Sequence, residues 1–377
     1  MIGKFKIKHY INYIVISIVA VVFSVISLSG GQLDNSTLFL LEKMTISIIL
    51  AVSLSLVVGF LGELSLGHAG FMCIGAYISG KVASLLQESL GNGILTFIIS
   101  LAAGAGVAAL CGIIIGIPAR RLRGDYLAIV TLAFGEIVRS IFQNTSAESF
   151  GGAIGLSTPR FDKKYLFIIA FVLVLATLAV LQNLIRSKHG RAITSIRDNE
   201  IAAHATGINV TKYKLLAFTV SAMFAGVAGV LYSFSNYTVQ SSKFGYGYSI
   251  EILVMVVLGG MGNINGSIVA AALITFLNTR LATILTGDLA VLQNLLYALI
   301  LIFIVIYNNS PKLKGFRDKY NLAALFKKIF KPKTDPSVVT DDAAKWDVVP
   351  TKIKMDEILS VDITNTDRNQ SDEGGKK

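Results

Sequence analysis

The chain has 377 residues, of which 53% are apolar and 15% are charged, and its mean hydropathy is +0.66. This apolar share exceeds the roughly 45–50% of a soluble domain, so the composition predicts an all-α polytopic membrane protein. The net charge of +11 comes from basic clusters that flank the apolar runs, which indicates membrane topology and excludes nucleic-acid binding. Cys73 and Cys111 lie inside apolar runs, so we expect neither disulfides nor a metal site.

The apolar runs predict about ten transmembrane helices, or eight if the glycine-broken segments form half-spans. The predicted spans cover residues 10–28, 45–61, 70–86, 93–117, 124–139, 165–184, 215–234, 249–258, 267–285 and 290–307. Residues 34–42 are expected outside the cell, between the first two spans. The transmembrane domain is therefore 10–307, between a basic cytoplasmic N-terminus (1–9) and a cytoplasmic tail (308–377) that is first basic, then polar and disordered.

A first glycine-rich break interrupts the apolar sequence between residues 59 and 70, which also contains two ionisable residues. Non-helical backbone at membrane depth lines cavities or is buried in protein, and ionisable residues there tend to be functional. The candidates for a translocation pathway are Glu63, Gly67, His68 and Gly70. Alternatively, the glycines permit close helix packing and Glu63 is hydrated at the interface.

Glu136 and Arg139 lie three residues apart in the next predicted span, so they share a helix face and can form an ion pair. Such a pair either connects two parts of the structure or forms part of the polar lining of a pathway. If it lines a pathway, Glu136 is a further pathway candidate.

Residues 186–214, here called the handle, form a polar segment between two apolar runs. The Lys and Arg residues of the handle place it in the cytoplasm. Its middle, 192–205, is predicted to form one short amphipathic helix, and Gly207 is expected to end it. An ordinary surface loop is the alternative.

A second glycine-rich break contains Gly259, Gly260 and Gly262 and precedes another helix of small and apolar residues. These three glycines are also pathway candidates. Two such breaks in corresponding halves predict an inverted internal repeat.

Several stretches together resemble the LivM-type permeases of branched-chain amino-acid ABC importers. They are Ser65-Leu-Gly-His-Ala-Gly-Phe, Arg121-Leu-Arg-Gly-Asp-Tyr-Leu-Ala-Ile-Val-Thr-Leu-Ala-Phe-Gly-Glu-Ile, Ile196-Arg-Asp-Asn-Glu-Ile-Ala-Ala with Gly207, and Leu258-Gly-Gly-Met-Gly-Asn. The spacing Glu-x-Ala-Ala-x-x-x-Gly in the handle resembles the loop through which such permeases contact their ATP-binding subunits. The resemblance covers roughly residues 40–306.

The resemblance implies a multi-pass protein of the bacterial inner membrane that is not an enzyme. It implies a second, LivH-like permease, two cytoplasmic ATP-binding subunits that use ATP and Mg²⁺, and an extracytoplasmic substrate-binding protein, with no cofactor on this chain. The handle would be the ATPase-coupling loop. The residues expected to act there are Arg191, Arg197, Asp198, Glu200, Ala203 and Gly207.

Two other functions stay open from the sequence. A urea or short-amide ABC importer would have a similar permease. An ion-coupled secondary transporter would need carboxylates inside the membrane, and Glu63, Glu136 and Glu251 are available for that role.

Overall fold

A computed structural model describes residues 35–284, except 92, 120, 121, 123, 160 and 162, together with residues 16, 295, 298, 299 and 302. These residues belong to one compact unit. The predictions for both termini and for the runs 10–28 and 290–307 lie outside the continuous described part.

The described part is mainly helical, with two short strands. The helices are α1 (Asn35–Ser55), α2 (His68–Leu90), α3 (Ile94–Ala119), α4 (Asp125–Asn144), α5 (Ala147–Phe150), α6 (Lys163–Arg186), α7 (Lys188–Asp198), α8 (Glu200–Ala205), α9 (Val210–Ser235), α10 (Tyr246–Gly259) and α11 (Ile264–Ile284). A π-helical turn (Leu56–Leu61) extends α1, a 3-10 turn (Ser241–Phe244) precedes α10, and the strands are β1 (Leu156–Ser157) and β2 (Thr238–Val239).

Within the described residues, six helical segments have the length and hydropathy needed to cross a membrane. They are α1 with its π-helical turn, α2, α3, α6, α9 and α11. Helix α4 carries Asp125, Glu136 and Arg139, and α10 is only 14 residues long. The chain is therefore an all-α, multi-pass membrane protein, and the described helices overlap the apolar runs predicted as spans between residues 45 and 285. The total of about ten spans stays a prediction.

Helix α1 begins earlier than predicted. Residues 35–42, expected to form an outer segment, are helical. Glu42 is buried, and its carboxylate accepts a hydrogen bond of 2.5 Å from the Ser235 hydroxyl of α9. The start of this span at residue 45 was therefore predicted ten residues too late, whereas the position of residues 34–42 outside the cell stays a prediction.

Helices α1 and α9 form the centre of the bundle, and α9 packs on α1, α2 and α3. Small residues allow the close approach, as the sequence predicted. A Cβ atom on Gly75 of α2 would lie 2.6 Å from the Cα of Gly226, and one on Gly229 would overlap the carbonyl oxygen of Met72. The outward faces of α3 and α11 remain largely apolar and exposed, as a surface that contacts lipid or a second subunit requires.

The loop between α4 and α6 and the loop between α9 and α10 pair with each other, and the predicted order of spans places both loops outside the cell. Strand β1 from the first loop and β2 from the second are antiparallel, with Leu156 opposite Val239 and Ser157 opposite Thr238. Helix α9 separates these strands from the handle, and its 26 residues span about 39 Å. The strand pair and the handle thus mark opposite ends of the bundle.

Replacing Gly229 with Ala should destabilise the bundle by about 1–3 kcal/mol, because the new methyl group meets backbone atoms of Met72 and Ala76 that cannot rotate away. The midpoint of thermal unfolding in detergent measures this effect. Gly106→Ala in α3 is the matched control, since a Cβ atom there meets nothing within 4 Å. Equal midpoints for the two variants would contradict the proposed packing.

Candidate functional site: the handle and the two glycine-rich breaks

The handle contains two helices rather than the single helix predicted for 192–205. Helix α7 ends at Asp198 and α8 begins at Glu200. Asn199 is extended between them, and its side chain accepts a hydrogen bond of 3.0 Å from the backbone N–H of Ala202. The prediction was wrong because it overlooked Asn199 as an N-cap, which begins a new helix at a new angle.

One face of the handle packs inward. Ile193, Ile196 and Ala203 are all buried. Gly207 has a φ of +85°, and the next backbone N–H, that of Ile208, bonds back to the carbonyl of Ala203 at 3.1 Å. The expected glycine stop is therefore confirmed, because this left-handed conformation favours glycine.

The opposite face of the handle is open. Ile201 is 75% exposed, and Ala202, His204, Ala205 and Gly207 are exposed beside it. Ala203, named from the sequence as a docking residue, faces inward and is not part of this surface. The sequence analysis missed Ile201, although an apolar residue within a polar segment was a usable signal. Arg191 and Asp198 are also exposed.

The first glycine-rich break is present where the sequence placed it. The π-helical turn ends at Gly62, which has a φ of +79°, and α2 begins only at His68. Other helices bind the freed backbone groups: Thr131 of α4 accepts from Leu66 N–H at 3.0 Å, and Ser249 of α10 accepts from Ala69 N–H at 3.1 Å. The break is held by side chains, as buried non-helical backbone requires.

The second break contacts the first. Helix α10 ends at Gly259, and Gly260 and Gly262 both have positive φ values before α11 begins. A Cβ atom on Gly59 would lie 2.5 Å from the backbone nitrogen of Gly262. The two breaks, which are far apart in the sequence, therefore form one structural unit.

Arg197 joins the handle to this unit. Its Nη1 atom donates a hydrogen bond of 3.0 Å to the carbonyl oxygen of Gly59. Its aliphatic stem lies over Gly62, where a Cβ atom would come within 2.5 Å of Arg197 Cγ. The same guanidinium binds the carboxylate of Asp198 at 2.9 Å. Arg197 thus links the handle to the first glycine-rich break, and Gly62, which has no side chain, leaves space for the aliphatic stem of Arg197.

Lys214 makes a second connection between the same parts. Its ammonium lies 2.5 Å from the Glu63 carboxylate of the first break and 3.3 Å from the Glu200 carboxylate of the handle. The Lys214 and Glu63 side chains are 3% and 9% exposed, and that of Glu200 is 25% exposed. Buried charges require such pairing because desolvation is costly. The sequence analysis counted Lys214 only as a topology signal.

The remaining candidates lie in helix contacts. His68 Nε2 is 2.8 Å from the Ser53 hydroxyl of α1, while Gly67 and Gly70 pack on α4 against Thr131 and Gly135. The predicted Glu136–Arg139 pair is confirmed at 2.7 Å. Glu136 also accepts a hydrogen bond of 2.8 Å from Tyr246 N–H at the start of α10, so it ties α4 to α10.

Several characterised proteins are similar to this chain. The LivM permeases of the high-affinity branched-chain amino acid transport systems of Salmonella typhimurium and Escherichia coli are 38% identical over 278 residues. That alignment covers 65% of this chain and 62% of each relative. The ribose import permease RbsC of Escherichia coli is 25% identical over 313 residues, which cover 79% of this chain and 93% of the relative. No solved structure matches the chain.

A family match covers most of the chain. The family described as "Branched-chain amino acid transport system / permease component" matches residues 36–305. This range contains the handle, both glycine-rich breaks, the helices from α2 to α11 and all of α1 except Asn35. The chain therefore belongs to the permease-component family of branched-chain amino acid transport systems.

Proposed function

We propose that this chain is a permease subunit of an ABC importer and forms half of the membrane pathway for leucine, isoleucine and valine. The family match and the similarity to LivM support this function. ATP hydrolysis with Mg²⁺ takes place on two partner ATP-binding subunits, so this chain is not itself an enzyme and binds no cofactor.

The proposed assembly contains a second, homologous permease and an extracytoplasmic binding protein. A LivH permease of Methanocaldococcus jannaschii is 30% identical to this chain over 142 residues, which supports a LivH-like partner built on the same plan. The chain crosses the cell membrane about ten times and has both termini in the cytoplasm. Two of these crossings, 10–28 and 290–307, lie outside the continuous described residues.

The attachment of the handle to both glycine-rich breaks is the observation that carries the mechanism. The exposed face around Ile201 and Gly207 is the surface that an ATP-binding subunit contacts. On the inner side, Arg197 bonds to Gly59 and Lys214 joins Glu200 to Glu63. When the ATP-binding subunits close and move the handle, these contacts pull on the breaks, where the helices are already interrupted.

The contacts of the carboxylates favour this mechanism over ion-coupled transport. Glu63 pairs with Lys214, Glu136 pairs with Arg139, and Glu251 accepts a hydrogen bond of 3.0 Å from Asn278. A coupling carboxylate must exchange its ion during each cycle, whereas these three are engaged within the chain.

Deleting the gene should abolish ATP-dependent uptake of labelled leucine by intact cells, and restoring the gene should recover it. Labelled urea is measured in parallel. If restoring the gene recovers only urea uptake, the substrate is an amide and not an amino acid. If neither leucine uptake nor urea uptake changes, the proposed function is refuted.

Gly207→Val should abolish leucine uptake while the protein remains inserted and abundant, because a branched side chain at a φ of +85° distorts the exposed turn. Gly124→Val is the matched control: this glycine also has a positive φ, +56°, and open space around it. Uptake and co-purification of the ATP-binding subunits are measured for both. If the Gly207→Val variant takes up leucine normally while the ATP-binding subunits are bound, the handle does not couple ATP hydrolysis to transport.

Lys214→Met should uncouple ATP hydrolysis from uptake and destabilise the complex by about 3–5 kcal/mol, because the buried Glu63 carboxylate loses its counter-charge. Adding Glu63→Gln should restore much of the stability without restoring uptake. Lys212→Met, on the same helix but exposed, is the control for loss of one positive charge. The mechanism fails if Lys214→Met transports leucine at the wild-type rate per ATP hydrolysed.

A further inference from the structure

Helix α10 is a short segment with glycines at both ends. It begins shortly after strand β2 and ends at the second glycine-rich break, and its 14 residues span about 21 Å, roughly half the length of α9. Near its start, a Cβ atom on Gly247 would meet nothing within 4 Å, and after its end Gly260 and Gly262 have positive φ values. Helix α10 is therefore a rigid segment between two adaptable pieces of backbone.

A single carboxylate connects the start of α10 to α4. Glu136 of α4 accepts a hydrogen bond of 2.8 Å from the backbone N–H of Tyr246, the first residue of α10. A negative charge is favourable at this end of a helix. The body of α10 packs mainly on α11 and not on α4, so α4 holds α10 chiefly at its start.

This connection can open without leaving a charge unpaired. The other oxygen of the Glu136 carboxylate binds Arg139 Nε at 2.7 Å, and Arg139 Nη1 donates to Gln143 Oε1 at 3.1 Å. All three residues belong to α4, so they stay together if α10 moves. The Glu136 and Arg139 side chains are 28% and 30% exposed, and Tyr246 is exposed, so water can replace the bond to Tyr246 at little cost.

The other end of α10 is attached more firmly. The second break touches the first where Gly262 meets Gly59, and the first break is held to α9 by the buried pair of Lys214 and Glu63. Separating buried opposite charges costs far more than separating partly exposed groups. A displacement of the handle therefore moves both breaks together and releases α10 first at its start.

Two cavities lie on either side of the start of α10. One, of about 590 Å³, is lined by residues of α1, α9, α10 and α11, and the other, of about 420 Å³, lies between α4 and the start of α10. Lys243 and Tyr248 line both cavities. The start of α10 and the 3-10 turn before it thus form the wall between the two cavities, and moving this wall away from α4 would join them.

We propose that the Glu136 carboxylate is a releasable latch, which holds the start of α10 on α4 and lets go during each transport cycle, so that the two cavities join. Arg139 keeps the carboxylate paired after release. This proposal rests on the proposed function, because the ATP-driven movement of the handle supplies the displacement. It adds a moving part at the opposite end of the bundle.

A distance measurement on the purified complex of both permeases and the ATP-binding subunits tests the latch without leucine. Spin labels are attached to Ile137→Cys on α4 and Ile250→Cys on α10, two exposed positions, after both native cysteines are replaced by Ala. Trapping with ATP and vanadate should move the labels apart by about 5 Å, the size of a one-turn helix shift. Labels on Ile137→Cys and Leu85→Cys, on the packed helices α4 and α2, are the matched control and should keep their distance. An unchanged or shorter distance for the first pair overturns the latch.

Locking the latch gives the second test. A Cβ atom on Gly245 would lie 3.8 Å from Arg139 Cδ, so Arg139→Cys with Gly245→Cys places two thiols across the contact. Oxidation to the disulfide should lower ATP-driven leucine uptake in liposomes about 10-fold or more, and dithiothreitol should restore it. Neither single variant should respond to the oxidant. Full uptake by completely cross-linked protein overturns the latch.

Removing the latch should have the opposite effect on ATP hydrolysis. Glu136→Ala should raise the ATPase activity measured without the binding protein about 5-fold, because it loses one charge-assisted hydrogen bond that favours the latched state. A purely structural role would lower this activity instead, and that result contradicts the proposal. Glu148→Ala is the matched control, since Glu148 is exposed and does not line either cavity.

Leucine uptake by the wild-type complex, reconstituted with its binding protein, separates the two proposals. Uptake without separation of the labels overturns the latch and leaves the importer function intact. Absence of uptake overturns the importer function, whatever the labels show.

Discussion

The ammonium of Lys214, buried between the carboxylates of Glu63 and Glu200, is the interaction on which the handle end of the bundle depends. A buried cation is tolerated only when anions compensate for its lost hydration. Here the first anion comes from an interrupted helix and the second from the handle. A single charge on α9 therefore joins both of these parts to that helix.

Glycine supplies the second constraint. Arg197 reaches the carbonyl of Gly59 because Gly62 has no side chain in its way, and Gly59 and Gly262 approach each other for the same reason. The handle and both breaks thus become one mechanical unit at one end of α1 and α9.

Much of this architecture was predictable from the sequence because it depends on local composition. The spans follow from the length of apolar runs, the two breaks from clustered glycines, and the end of α8 from Gly207. The cytoplasmic position of the handle stays a prediction from its Lys and Arg residues. The errors were also local: Asn199 divides the handle into two helices, and α1 begins at Asn35, ten residues before the predicted span.

By itself, the sequence determined the helical class, the order of the elements and the segment that acts as the handle. Only the tertiary structure decided that the handle and the two breaks form one site, that Ala203 faces inward and that Lys214 belongs to the site. The bond from Arg197 to Gly59 joins residues 138 positions apart. Hydropathy and spacing describe neighbours along the chain, whereas the partner of a buried charge is set by which helices pack together.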